Sequence, residues 1–315
     1  MWIYLIIFIV LLILELAYFK LADHFNIIDR PNDRSSHTKV TLRGGGILFY
    51  LAVLVYFLVK GFYYPWFFAG LTLIAVISFA DDNRPQSSKL RLVVQFTAML
   101  LLFMQLNVFK LPWYDMVLVL IFCTGMINAY NFMDGINGIT GGYSMVVLGA
   151  LWYINTYQVS FVDNNLIYVL LIAVAIFNYF NFRKKARCFS GDVGAISMAF
   201  ILVFMISSLI IKTNDLGYLA LLTVYGVDSV LTIVHRVRLK ENIFKPHRKH
   251  MYQIMANELK LPHVLVSGIY CLVQAIVAVG VMVVEHKLLY AVITIVFFSV
   301  VYFLFMKKYY ALHKG

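Results

Sequence analysis

The feature that most constrains this chain is its alternation of long apolar runs with short polar loops. A helix that crosses a bilayer needs roughly 20 apolar residues, somewhat fewer where neighbours shield its ends. Eleven runs qualify: residues 2–19, 44–60, 65–80, 92–109, 113–130, 139–157, 164–182, 194–211, 215–233, 264–284 and 287–306. Residues 2–19 are expected to be a first span and not a cleavable leader, because the run is too long and no small-residue cleavage site follows. Only 13% of the residues are charged and 62% are hydrophobic, whereas soluble domains carry about a quarter charged residues. The expectation is an all-α integral membrane protein of about eleven transmembrane helices. Residues 1–315 form a single polytopic domain with no internal repeat, linker or soluble module.

The net charge of +11 invites a nucleic-acid partner, but the placement of the charges argues against one. Of the 26 Lys and Arg residues, 22 fall in one alternating set of loops: 20–43, 81–91, 128–138, 183–193, 234–263 and the tail from 307. The positive-inside rule then puts these loops and the C-terminus in the cytoplasm and the N-terminus outside. Topology and anionic lipid headgroups account for the basic balance. The outer loops are very short, and the inner loops hold nearly every unusual residue. The chemistry is therefore expected at the cytoplasmic face. Cys123, Cys188 and Cys271 show no metal or redox spacing and are expected to be small core residues.

One inner loop stands out: Asn128-Ala129-Tyr130-Asn131-Phe132-Met133-Asp134-Gly135-Ile136-Asn137-Gly138-Ile139-Thr140-Gly141-Gly142. A Gly/Asn-rich turn explains the glycines and one asparagine. It does not explain Asn131, Asp134 and Asn137 at successive three-residue steps, which a helical segment would gather on one face. Polar groups at the end of a membrane helix are costly and default to function.

Other inner loops add to it. Arg34, His37, Lys39 and Arg43 precede Gly44-Gly45-Gly46. This is either a phosphate-friendly loop, since glycine exposes backbone N–H groups, or a basic loop followed by a helix-packing glycine cluster. Asp81 and Asp82 end the third span, with Lys89 and Arg91 opening the next. Adjacent carboxylates gain most from a cation or metal there, though a capping role is the plainer alternative. Gly191-Asp192-Val193-Gly194 can present a carboxylate and free N–H groups together at a helix mouth, or Asp192 can be an ordinary N-cap. His247, Arg248, Lys249 and His250 form the densest basic segment. With no acidic ligand nearby they favour an anion over zinc. Asp228, inside a span, either belongs to the site or pairs with a basic neighbour.

Carboxylates from separate loops, joined by Asn131, make an all-oxygen donor set that suits Mg²⁺, or Mn²⁺, better than zinc. Cationic clamps around such a metal are the equipment of phosphoryl transfer.

These ordered motifs, Asp81-Asp82, Asn128 to Gly138, Gly191 to Gly194 and the late basic His loop, resemble the polyprenyl-phosphate N-acetylhexosamine-1-phosphate transferases, of glycosyltransferase family 4 type, over about residues 23–253. The resemblance implies Mg²⁺-dependent transfer of a sugar-1-phosphate from a UDP-N-acetylhexosamine to undecaprenyl phosphate, with release of UMP. It implies a multi-pass bacterial inner-membrane enzyme with a periplasmic N-terminus, and homodimers are usual in the family. Its relatives initiate O-antigen, enterobacterial common antigen, teichoic acid or lipid I, which places this chain in cell-surface glycan synthesis. By position it implies metal ligation at Asp192 and Asn131 and catalytic roles for Asp81, Asp82, Asp134 and Lys89. It also implies diphosphate or sugar contacts at Asn128, Asn137, His247, Arg248 and His250. Arg34 and His37 are candidates for the lipid phosphate or for the loop that covers the site.

The chain departs from the family pattern in places. Asn137 stands where the family often has Asp, which removes any nucleophile role there. Val40-Thr41-Leu42-Arg43 lacks the proline that often precedes the glycines. His250-Met251-Tyr252-Gln253 replaces a histidine-rich triplet, which points to the O-antigen or capsule branch. Two other classes of membrane protein fit the sequence less well. A transporter or lipid flippase tends to place polar sites at the midplane between repeats, unlike these span-end acids. A CDP-alcohol phosphotransferase would need a different run after Asp134-Gly135.

Overall fold

The computed structural model describes residues 2–29, 40–242 and 247–310. Arg34 and His37 lie outside the described residues. The described chain is helical apart from one two-stranded ribbon. In order come α1 (Trp2–His24), β1 (Ile28–Asp29), β2 (Thr41–Leu42), α2 (Ile47–Val59), α3 (Pro65–Asn83), α4 (Ser88–Leu106), α5 (Trp113–Phe132), α6 (Ile139–Tyr157), α7 (Asn164–Asn181) and α8 (Gly191–Thr213). A 3₁₀ segment (Leu216–Leu222) leads into α9 (Thr223–Arg238). The short α10 (Met251–Gln253) continues as a π turn (Ile254–Glu258), and α11 (His263–Val283) and α12 (Lys287–Lys307) follow.

Each of the eleven apolar runs forms a helix, but among the described residues nine helices are long and apolar enough to cross a membrane, not eleven. The two differences have separate causes. Helix α2 has 13 residues, about 20 Å at 1.5 Å per residue, short of a bilayer core of about 30 Å. Its start is cut back because Gly44–Gly46 are drawn into the loop described below. Helix α6 is long enough, but Thr140, Gly141, Gly142, Tyr143, Ser144 and Asn155 dilute its apolar character, and all six are buried. They face protein instead of lipid, as polar residues in membrane helices do. By helix length and composition this is a multi-pass membrane protein.

Helix α8 is the axis. It is apolar all round and almost wholly buried, and α2, α3, α5 and α6 pack against it. A helix hydrophobic on every face belongs at the centre of a bundle. The peripheral helices α1, α4, α5 and α12 keep large apolar side chains exposed, among them Ile13, Val93, Ile121 and Leu304. Such a surface is compatible with lipid and costly in water. Buried hydroxyls bond across helices: Tyr143 to Gln274 (2.7 Å), Tyr225 to the Ile139 carbonyl (2.8 Å), and Tyr130 with Ser144 (2.6 Å).

The loops at one end are laced to α8. Strand β1 pairs antiparallel with β2, and Leu42 bridges to Cys188. Phe189 donates its N–H to the Leu42 carbonyl, and Gly45 and Gly46 donate theirs to Phe189 and Ser190. A Cβ at Gly46 would come 2.8 Å from the Ser190 carbonyl. The glycine cluster therefore serves close packing of two chain segments. The N–H groups of Gly45 and Gly46 are already used within the protein and are not offered to a phosphate.

Candidate active site

A cavity of about 260 Å³ opens at this end. It is lined by Asp29 and Arg43, by Asn131 and Asp134 to Asn137, by Asn181, by Phe189 to Asp192, and by Gln253 and His263. Four regions far apart in sequence thus meet over the N-terminus of α8.

That terminus is held by a carboxylate from another helix. Asp82, at the end of α3, accepts the N–H groups of Asp192 (2.9 Å) and Val193 (3.0 Å). Helix N-termini leave such donors unsatisfied, and here the capping group comes from 110 residues away. The Asp82 side chain is fully buried, and Arg43 Nε meets its Oδ1 at 2.7 Å. Gly191 adopts φ +69°, and a Cβ there would lie 2.6 Å from Asp82 Oδ2. Only glycine both takes that conformation and admits the carboxylate. Asp192, carried on the first turn so formed, lines the cavity and stands 3.4 Å from an Arg43 terminal nitrogen.

Asp134 sits where α5 gives way to α6. Thr140 donates to its Oδ1 (2.6 Å) and Ser190 to its Oδ2 (2.7 Å). Burial raises its pKa above the ordinary carboxylate value, against the pull of those two hydroxyls. Asn131 lines the same cavity, whereas the Asn128 amide turns back to the Thr124 carbonyl within α5 (2.8 Å). Asn137 lines the cavity and also latches loops together. Its amide donates to the carbonyls of Arg183 (3.0 Å) and Lys184 (3.3 Å), and its carbonyl accepts from Ser267 (2.7 Å).

Asp81 faces a second, much smaller cavity lined by Ile74, Ile77, Ser78, Arg91, Gln95, Asp192 and Ile196. It accepts the Gln86 N–H (2.6 Å) and an Arg91 guanidinium nitrogen (2.8 Å). Asp192 is common to both cavities. Lys89 is exposed on the first turn of α4, and Arg91, two residues on, is the α4 cation that reaches Asp81.

The basic segment lies against the site and not in it. His250 is buried, with Nδ1 3.3 Å from Asp228 Oδ1. Asp228 also accepts Met251 N–H (2.9 Å), Tyr252 N–H (3.4 Å) and Tyr270 O–H (2.7 Å), so it is the buried cap of α10. Tyr252 O–H donates to the Phe132 carbonyl (2.9 Å), stitching the segment to α5. Lys249 and Arg236 both pair with Glu241. Arg248 is half-buried beside them. Gln253, three residues beyond His250, is the part of this segment that lines the cavity.

The His247 ring is 4.8 Å from that of His250. Burial, then the charges of His250 and Arg236, push its pKa down to about 3. The unfolded chain binds a proton at His247 near pH 6.5, so folding must expel it. This group costs stability as pH falls below about 6.5, progressively until about 3. The expected result is that His247→Gln flattens the loss of thermal midpoint between pH 7 and pH 5. An unchanged slope would mean that the ring titrates freely in the folded protein.

The site contains groups that the sequence motifs did not single out. Ser190 adjoins Gly191 and was legible by proximity, whereas Arg91 was already named with Lys89 at the start of the span after the acidic pair. Arg43 was visible as a loop cation, but its carboxylate partners were not. Asp29, Asn181 and His263 carry no local signal. Asn181 bridges the Gly138 N–H (2.8 Å) and the Cys188 carbonyl (2.8 Å), and His263 Nδ1 lies 3.5 Å from the Asn137 N–H.

Among the described residues no three His, Cys, Asp or Glu side chains cluster as a ready-made metal cage. The cavity instead offers three carboxylates, Asp29, Asp134 and Asp192, and the Asn131 amide. That hard, incomplete oxygen set fits Mg²⁺, which keeps waters and shares its shell with substrate phosphates.

The described helices thus form a membrane-type bundle with an oxygen-lined, cation-edged cavity at one end. Residues 64–210, just under half of the chain, match the family model described as Glycosyl transferase family 4. The match takes in Asp81, Asp82, Asn128 to Asn137 and Asp192, and ends before the basic segment. The chain is 21% identical over 304 residues to a probable undecaprenyl-phosphate N-acetylglucosaminyl 1-phosphate transferase of Bacillus subtilis, covering 90% of this chain and 84% of the relative. It is 25% identical over 260 residues to the undecaprenyl-phosphate alpha-N-acetylglucosaminyl 1-phosphate transferase of Salmonella typhi, and 24% over 265 residues to that of Escherichia coli K12. Both of those alignments cover 75% of this chain and 71% of the relative.

Proposed function

We propose that this chain transfers an N-acetylhexosamine-1-phosphate from a UDP-sugar to undecaprenyl phosphate at the cytoplasmic face of a bacterial inner membrane, releasing UMP. The step would initiate a surface glycan such as O-antigen or capsule. The observation that carries this reading is the double cavity around Asp192. On one side lies the larger cavity with Asp134, Asn131 and Arg43, sized for a polar head. On the other, Asp81 and Arg91 sit among isoleucines of α3 and α8, next to helix faces whose Val76 and Val93 are exposed. A water-soluble donor would enter the first; the second, only about 10 Å³, holds no phosphate as it stands and marks where Asp81 and Arg91 meet the lipid-facing side.

The acceptor phosphate oxygen attacks the β-phosphorus, the bond from that phosphorus to the bridging oxygen breaks, and UMP departs. A monoalkyl phosphate has its second pKa near 6, so it is mostly dianionic at pH 7 and needs no strong base. That agrees with Asp81, whose oxygens are engaged by Arg91 and the Gln86 N–H. The work left to the chain is positioning and charge stabilisation. Arg43 faces the developing negative charge, while the first amides of α8 are taken by Asp82 and hold Asp192 in place. Asp192, with Asn131 and Asp134, would hold Mg²⁺, which supplies charge neutralisation at the diphosphate when bound.

The test is UMP release by purified protein in detergent with undecaprenyl phosphate, Mg²⁺ and a panel of UDP-N-acetylhexosamines. Release that needs the lipid, favours one donor and stops with EDTA supports the reading. No release from any donor by folded protein sinks it. Arg91 gives a finer check. Arg91→Gln is expected to raise KM for the lipid acceptor about tenfold while leaving KM for the donor within about twofold. A donor-side effect of equal size would misplace the acceptor.

A further inference from the structure

Arg43 sits on the carboxylate that a metal would need. One nitrogen, Nε, is 2.7 Å from Asp82 and another is 3.4 Å from Asp192. The two contacts are unequal in kind. Asp82 is buried and fixed by two backbone amides, so its pair with Arg43 is an anchor. Asp192 is partly exposed in the cavity, and its contact is the longer and looser one. The Arg43 backbone is pinned as well: its carbonyl accepts from Tyr18 O–H at 2.7 Å, and Gly44 follows at φ +80°. Only the outer part of the guanidinium is free to turn, and a third of the side chain is exposed.

We infer that Arg43 is a tethered counter-cation that shares Asp192 with the divalent metal. With the donor site empty it neutralises Asp192 and weakens metal binding. When metal and donor diphosphate arrive together, the guanidinium leaves Asp192 for the diphosphate while keeping Asp82. The arrangement makes metal and donor bind as a unit, because each removes an obstacle to the other. A guanidinium suits this because its planar fork holds widely separated donors, so one edge can stay on Asp82 while another turns, whereas an ammonium is a compact point charge. The inference rests on the proposed donor and metal site and goes beyond it by naming what competes there.

The experiment is Mn²⁺ binding to the full-length protein in detergent, read by electron paramagnetic resonance of free Mn²⁺, with and without UDP. Arg43→Gln is expected to tighten Mn²⁺ binding without nucleotide about tenfold, since a charge beside the ligand is removed, and to shrink the further tightening that UDP gives. Arg43→Lys keeps a cation for Asp82 and lacks the second reach, so it is expected to tighten binding about threefold even if the Gln variant fails to fold. Nucleotide-free affinity unchanged or weakened in the folded variants overturns the inference. If Mn²⁺ still binds and is lost in Asp192→Asn, the metal reading stands while Arg43's role falls. If wild type binds no Mn²⁺ even with UDP, both fall.

Discussion

Asp192→Asn is expected to cut lipid-dependent UMP formation by at least about 10²-fold while leaving the protein folded. The two outcomes go together for a structural reason. Asp192 rides on the first turn of α8, and that turn is capped by Asp82, not by Asp192 itself. The Asp192 side chain contributes a 3.4 Å contact to Arg43 and a face to each cavity. Asn keeps the shape and loses the charge, so the helix terminus survives and the cation site does not. Turnover measured beside the thermal midpoint in detergent checks this. Wild-type activity would remove Asp192 from the chemistry, and a large loss of midpoint would make it a structural residue.

Asp82→Ala is expected to fail in the opposite manner. It strips two backbone amides of their acceptor and leaves Arg43 beside a void. Removing one partner of a buried ion pair costs about 3 kcal/mol or more, because the remaining charge and donors go unpaired. The thermal midpoint should fall sharply, and activity with it, because the turn that carries Asp192 loses its cap. Asp82→Ala that melts like wild type but is inactive would instead make Asp82 a chemical participant. The two variants separate the roles proposed for these groups: Asp82 as the carboxylate that builds the turn, Asp192 as the one that acts from it.

Much of this was legible along the chain because membrane helices advertise themselves. Eleven apolar runs became eleven helices, and the span-end acids converge on one end of the bundle. The two runs that are not long, apolar spans show what composition misses. Residues 44–46 look like the start of a helix, yet backbone contact with Ser190 and Gly194 claims them, and that contact lies about 145 residues away. The roles within the acidic pair were not legible either. Asp81 and Asp82 are neighbours in sequence, but a helix turns successive side chains by about 100°. One therefore meets Arg91 on α4 and the other meets α8. The same geometry explains why Arg91, and not Lys89, faces Asp81. Asp228 and His250 are a buried cap and its ring, a pairing that spacing alone cannot distinguish from an anion site. His263 and Asn181 enter the cavity only because α7, α8 and α11 end at the same level.

The most direct test of the account follows two labels in one reaction. UDP-N-acetylglucosamine carrying ³²P at the β-phosphate and ³H in the sugar is given to the purified protein with undecaprenyl phosphate and Mg²⁺, and the lipid product is counted. The account predicts that both labels enter the lipid in equal amounts, with unlabelled UMP left behind. Sugar label alone in the lipid, with ³²P remaining in UDP, would mean glycosyl transfer without its phosphate and would contradict it.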